Sequence, residues 1–66
     1  MDTQKLKGKM AEKNVTQKDL AHTLNVTENT FSSKLSGKRD FSLSEVRTIS
    51  QRLSLTKEEM VTIFLC

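Results

Sequence analysis

Proline is absent from the 66 residues, and there are only two glycines, Gly8 and Gly37. That poverty disfavours a turn-rich β architecture, which relies on both. Cysteine occurs once, as Cys66. A small exported domain would carry an even set of cysteines as staples, so a reducing, cytoplasmic setting is expected, with an inter-chain disulfide through Cys66 as the alternative use of that thiol. No apolar run approaches the roughly 18 residues of a membrane helix, and Met1-Asp2-Thr3-Gln4-Lys5 has no apolar signal core, so neither a membrane partner nor export is expected. No nucleophile–base set, metal-ligand cluster or glycine-rich phosphate loop is present, so no enzymatic activity, metal or cofactor is expected. His22 has no Cys or Asp at ligand spacing and is expected to face solvent.

What is present is the composition of a small folded domain, 35% hydrophobic and 29% charged. The length allows one domain, residues 1–66. A chain of this size buries only about 60% of the surface its unfolded form exposes, so its core is small and a deep cleft is not expected. With no staple or metal, stability must come from helix packing or association. The formal net charge is +3, and the whole excess lies before residue 41. The location of that charge is more informative than its size.

Helix starts are the strongest local signal. Four times an apolar residue precedes a Ser or Thr, and another apolar residue follows four places after it: Val15-Thr16…Leu20, Val26-Thr27…Phe31, Phe41-Ser42…Val46 and Leu55-Thr56…Met60. The hydroxyl can cap an orphan N–H of the first turn, and the apolar pair can staple the incoming chain. Asp19, Glu45 and Glu59 stand three places after their caps; Glu45 and Glu59 complete capping boxes in the usual sense, and Asp19 is a shorter version. With an N-terminal segment these starts predict an all-α chain of five helices, over about 3–13, 17–24, 28–36, 43–53 and 57 to the end. The apolar spacing turns Leu6 and Met10, then Leu20, Ala21 and Leu24, then Phe31 and Leu35, then Leu43, Val46, Ile49 and Leu53, then Met60, Ile63 and Phe64 inward. Asn14-Val15-Thr16 and Asn25-Val26-Thr27 are identical; in each, Asn suits the left-handed residue ending one helix and Thr caps the next. Gly37 suits the same left-handed position after the third helix.

The second and third helices are short, and a small residue, Ala21, stands where they must cross. Two helices joined in this way form a helix-turn-helix, over about 17–36. The run Thr16-Gln17-Lys18-Asp19-Leu20-Ala21-His22-Thr23-Leu24, followed by Asn25-Val26-Thr27-Glu28-Asn29-Thr30-Phe31 and closed by Lys34-Leu35-Ser36-Gly37-Lys38, resembles the helix-turn-helix of the bacteriophage Cro and repressor family, the lambda-repressor-like DNA-binding domains. The resemblance covers nearly the whole chain and is greatest to short Cro-like regulators of phages of Gram-positive bacteria. It implies a compact five-helix domain, an operator in double-stranded DNA, and a repressor's place in a lysis–lysogeny switch inside the bacterial cell. The chain departs from the family pattern at Asn25, where glycine is usual, at Lys34, where an apolar residue is common, and at Glu28.

In such a motif the second helix enters the major groove N-terminus first. With Phe31 and Leu35 inward, the helical wheel turns Asn29, Ser32, Ser33 and Ser36 outward. Asn29 is the best base reader, because its amide can pair with N6 and N7 of adenine together. Ser32, Ser33 and Ser36 donate or accept with little discrimination, and Glu28 can accept from a cytosine amino group or simply favour the helix N-terminus. Three serines are poor helix formers, and a face kept only for solubility would carry Glu and Lys instead. Gln17, Lys34, Lys38 and Arg39 are the candidate phosphate contacts. Lys5, Lys7, Lys9 and Lys13 spread around the first helix and read as solvated side chains.

One module with few bidentate side chains discriminates poorly by itself, so a homodimer, at least on DNA, is expected to read a pseudo-palindromic operator. Val61 and Leu65, one turn apart, either meet the partner chain or complete the core. The competing function is a protein-binding modulator, an antirepressor that lays its helix-turn-helix face on a partner phage repressor; Glu28 and the modest charge favour it.

Overall fold

The computed structural model describes residues 1–65. Five helices follow one another: α1 (Thr3–Glu12), α2 (Gln17–Thr23), α3 (Glu28–Leu35), α4 (Leu43–Arg52) and α5 (Lys57–Phe64), with no strand among the described residues. Each begins at a residue of extended backbone whose side chain accepts the N–H three places on: Asp2, Thr16, Thr27, Ser42 and Thr56. Three of these are closed capping boxes, in which Asp19, Glu45 and Glu59 accept the cap's own N–H at 3.0, 2.8 and 2.9 Å. Six orphan donors are satisfied within these three boxes, which is why short helices start sharply here. Asp2 caps α1 without a box.

The helix ends are equally regular. Asn14, Asn25 and Ser54 take φ of 58°, 59° and 53°, and Gly37 takes 92°. The residue after each sends its N–H back to a carbonyl of the last turn: Val15 to Met10, Val26 to Ala21, Lys38 to Ser33 and Leu55 to Ser50, at 2.8–3.0 Å. This Schellman closure turns the chain sharply, and after Asn14, Asn25 and Ser54 it brings the next cap into place two residues on, whereas Gly37 is followed by a longer connection to Ser42. The Ser54-Leu55-Thr56 turn is therefore a third copy of the Asn-Val-Thr solution, with serine where asparagine stands elsewhere.

The core is Leu6, Met10, Val15, Leu20, Ala21, Phe31, Leu35, Ile49, Leu53 and Ile63, all buried, with Leu24, Val26, Phe41, Leu55 and Phe64 packed against it. All three phenylalanines meet: Phe31 and Phe41 lie 5.7 Å apart and tilted, and Phe41 meets Phe64 edge-on at 6.1 Å. These are favourable aromatic geometries, and they tie α3, the residue before the α4 cap, and α5 together.

Leu43 corrects the expected inward set. It is 70% exposed. On the wheel it lies about a quarter turn from the buried centre of α4, set by Ile49 and Leu53. At the first helical turn no described residue folds back to cover it. Val46 and Met60 are half-buried rather than core.

α1 is fastened at both ends. The Asp2 N–H donates to the Ile63 carbonyl at 2.6 Å, and the Thr3 hydroxyl donates to the Leu35 carbonyl at 3.1 Å. The Lys9 ammonium, read as a solvated side chain, in fact pairs with Glu59 of α5 and, at 3.3 Å, with Glu12. The radius of gyration, 10.5 Å, matches the roughly 11 Å of a folded chain this long. No helix among the described residues is long and apolar enough to cross a membrane. Cys66, the candidate for an inter-chain disulfide, lies outside the described residues.

Candidate nucleic-acid interface

The α2–turn–α3 unit is built from local chemistry. Ala21 is buried where the helices approach, so the backbones can close on each other. Asn25 makes the left-handed corner in place of glycine, and Thr27 caps α3 through a bond from the Thr30 N–H at 3.1 Å. Phe31 is fully buried and Leu35 nearly so. They hold α3 by one face and leave the other to solvent.

That outer face carries most of the expected residues. Asn29, Ser32, Ser36 and Glu28 are exposed. The side chains of Asn29 and Ser32 make no hydrogen bond to the described residues, so their polar atoms are available to a partner. The Ser36 hydroxyl instead donates to the Ser33 carbonyl at 3.0 Å. Ser33 is half-buried, although the wheel turns it outward. The reason is the return of the chain: the Ser33 carbonyl also accepts the N–H groups of Lys38 and Arg39, at 3.0 and 3.3 Å, and the 37–39 segment folds over this turn.

The candidate phosphate contacts divide. Lys38 and Arg39 follow α3 directly, exposed and without an ion pair among the described residues. Gln17 is exposed at the first position of α2. Lys34 does not stand free as expected. Its ammonium reaches both carboxylate oxygens of Glu45, at 2.6 and 2.7 Å, with side chains only 12% and 14% exposed. The wheel puts Lys34 sideways on α3, toward the start of α4, and Glu45 is already fixed there by its capping box. Burial raises the Glu45 pKa, but the Lys34 and Ser42 hydrogen bonds outweigh it and hold the carboxyl below its ordinary value. Lys34 therefore fastens α3 to α4.

Val61 and Leu65 are 46% and 78% exposed, so the small core does not use them. They line an open groove of about 870 Å³ together with Leu43 and the half-buried Phe41, Val46 and Phe64.

A family model matches residues 1–66, the whole chain, and its description is a protein of unknown function, DUF739. The chain belongs to the DUF739 family. Neither the curated proteins nor the solved structures contain a match to it.

Two features of this DUF739 chain escaped the sequence pattern. The Lys34–Glu45 pair joins residues eleven apart on different helices, and no local rule announces it. The Thr3 bond to the end of α3 spans 32 residues. Both fix the C-terminal end of the helix that presents Asn29.

Proposed function

We propose that the chain is a sequence-specific DNA-binding transcriptional regulator that reads an operator with α3 in the major groove. The observation that carries this is the contrast between the two faces of α3. Phe31 and Leu35 are buried, while Asn29, Ser32 and Ser36 face solvent. Lys38 and Arg39 lie at the helix's C-terminal end, where a groove-bound helix meets the backbone. Asn29 supplies bidentate recognition of adenine, the serines add weak contacts, and Gln17, Lys38 and Arg39 hold phosphates. Lys34, spent on Glu45, contributes by orienting the helix rather than by touching DNA.

The protein acts as a binding module and not as a catalyst. Two copies on the halves of a pseudo-palindromic operator, about one DNA turn apart, supply the specificity one copy lacks. The resemblance to Cro and repressor proteins gives the finer reading: a phage repressor in a lysis–lysogeny switch, working in the cytoplasm of a bacterial host. A second reading, an antirepressor docking this face on a partner phage repressor, is favoured by one pair of observations. Glu28 is exposed at the start of α3, and the Lys34 charge is neutralised within the fold.

A mobility-shift titration at several salt concentrations separates the two. A DNA reader binds one operator far more tightly than scrambled duplex, with affinity falling steeply as salt rises. Lys38→Ala then weakens binding to every sequence and lowers the salt slope by about one unit. A stable complex with a phage repressor, without any sequence-selective shift, would replace the first reading by the second.

A further inference from the structure

The groove between the N-terminal part of α4 and the face of α5 touches the proposed DNA-reading surface only at Ser36 and Arg39, and it gathers the exposed apolar surface of the described residues, including Val61 and Leu65, the expected dimer contacts. Leu43, Val61 and Leu65 all line it, and Phe41, Val46 and Phe64 are half-exposed within it. Contiguous exposed apolar surface on a small protein marks a contact site more often than scattered leucines do. The charges along the same groove are unbalanced. Arg39 and Arg47 line it, both exposed and neither within ion-pair distance of a carboxylate among the described residues; Lys34 is neutralised by Glu45, and among the described residues of the lining Asp40 is the one acidic side chain.

We propose that this groove docks an acidic segment of a partner protein, one that presents large aliphatic side chains flanked by Glu or Asp. The aliphatic side chains fill the space between Leu43 and Val61, and the carboxylates meet Arg39 and Arg47. A second copy of this chain fits less well. It brings its own two arginines against these two with a single Asp40 on each side, and like charges facing across an interface are costly. An anionic membrane also fits less well. Membrane-binding helices present their apolar residues on a convex face, whereas these residues line a concavity.

The groove has a consequence for the face that reads DNA, and this part rests on the DNA-binding reading. Ser36 and Arg39 belong both to the groove lining and to the proposed operator contacts. An occupant that engages Arg39 removes a phosphate ligand and crowds the end of α3. Docking and operator binding therefore compete.

The test uses the intact chain, isotope-labelled for NMR, and three synthetic peptides of one design. Each has leucines at helical spacing, flanked by Glu in the first, Gln in the second and Lys in the third. The Glu peptide is expected to shift the resonances of Leu43, Val61 and Leu65, with affinity about tenfold above the Gln peptide, two exposed ion pairs being worth about that much together. The Lys peptide is expected not to bind. Leu43→Asp should abolish the shifts, and Arg47→Glu should weaken binding of the Glu peptide about tenfold, one exposed pair being replaced by a like-charge contact; both positions are exposed and both variants should leave the thermal melt unchanged. Equal binding of all three peptides, shifts mapping elsewhere, or no shift with any of them overturns the proposal. So does a dimer in solution that Leu43→Asp dissociates, which gives the groove to a second copy. Binding to anionic phospholipid vesicles that Leu43→Asp abolishes gives it to a membrane and overturns it equally. These measurements contain no DNA, so they stand whether or not an operator exists. A final titration of peptide into a chain–operator complex reads the competition alone.

Discussion

Single residues show where this fold carries cost that selection for packing has not removed. Ser54 ends α4 at φ 53°, a region in which a β-carbon crowds the following carbonyl by about 1–2 kcal/mol. Ser54→Gly removes that crowding and is expected to stabilise the chain by about 1 kcal/mol, which raises Tm by roughly 4–8 °C in a domain this small. A lower Tm would show that the Ser54 side chain is needed at this corner. Ser50 is the complementary case. It is buried on α4, and its hydroxyl has no hydrogen-bond partner among the described residues. A buried unsatisfied hydroxyl costs about 1–3 kcal/mol, and alanine is the better helix former. Ser50→Ala should therefore melt higher than the parent protein. An unchanged or lower Tm in thermal denaturation would mean that the hydroxyl finds a partner in solution. Neither residue was legible from the sequence, since serine at 54 is neither the Asn nor the Gly that marks such a corner. Burial at 50 depends on what α4 packs against.

At the scale of helices the same physical rules acted twice, once legibly and once not. Caps, boxes and left-handed corners depend on residues three to five places apart, so the starts at Thr16, Thr27, Ser42 and Thr56 and the corners at Asn14, Asn25 and Gly37 could be read directly. Leu43 could not, because its exposure follows from where the rest of the chain stops covering α4. Nor could the Lys9–Glu59 pair, which depends on α1 and α5 meeting. The boxes have a pH signature. The Lys9 hydrogen bond and then the capping-box bond from the Thr56 N–H pull Glu59 down to about 2 from its ordinary 4.5. The Thr16 N–H bond lowers Asp19 in the same direction. A carboxyl with a lowered folded-state pKa stabilises the fold above its unfolded pKa and loses that contribution as pH falls toward the folded one. Tm is therefore expected to be level above about pH 4.5 and to fall between there and about pH 2. Glu59→Gln should flatten part of that slope; an identical slope in the variant would remove Glu59 from this role. α1 offers a separate test. Gly8 lies in the helix interior with nothing within 4 Å of where a β-carbon would stand. Gly8→Ala should stabilise by about 1 kcal/mol. A loss of stability by chemical denaturation would mean that a close neighbour approaches Gly8 in solution.

For the whole molecule, five short helices suffice because each end is sealed locally and one small core serves them all. The phenylalanine cluster, the Thr3 bond and the Lys34–Glu45 pair hold α3 from three sides, so its outer face is stiffly presented. The resulting surface has two parts of different chemistry: a polar face with Asn29 at its N-terminal end, and an apolar groove edged by Arg39 and Arg47. They meet at Ser36 and Arg39. The outer face of α3 was legible because Phe31 and Leu35 fix the wheel. The half-burial of Ser33 and the capture of Lys34 were not, because both arise where the chain returns over its own helix.

The central claim is that the outer face of α3 reads base pairs, and selection of binding sites from random duplexes tests it most directly. The parent protein should enrich a two-fold symmetric consensus. Asn29→Ala should enrich the same consensus with information lost at one position in each half, at a cost of about 1–3 kcal/mol for the matched base. No enrichment with the folded parent protein, or an Asn29→Ala consensus identical to it, would contradict the claim.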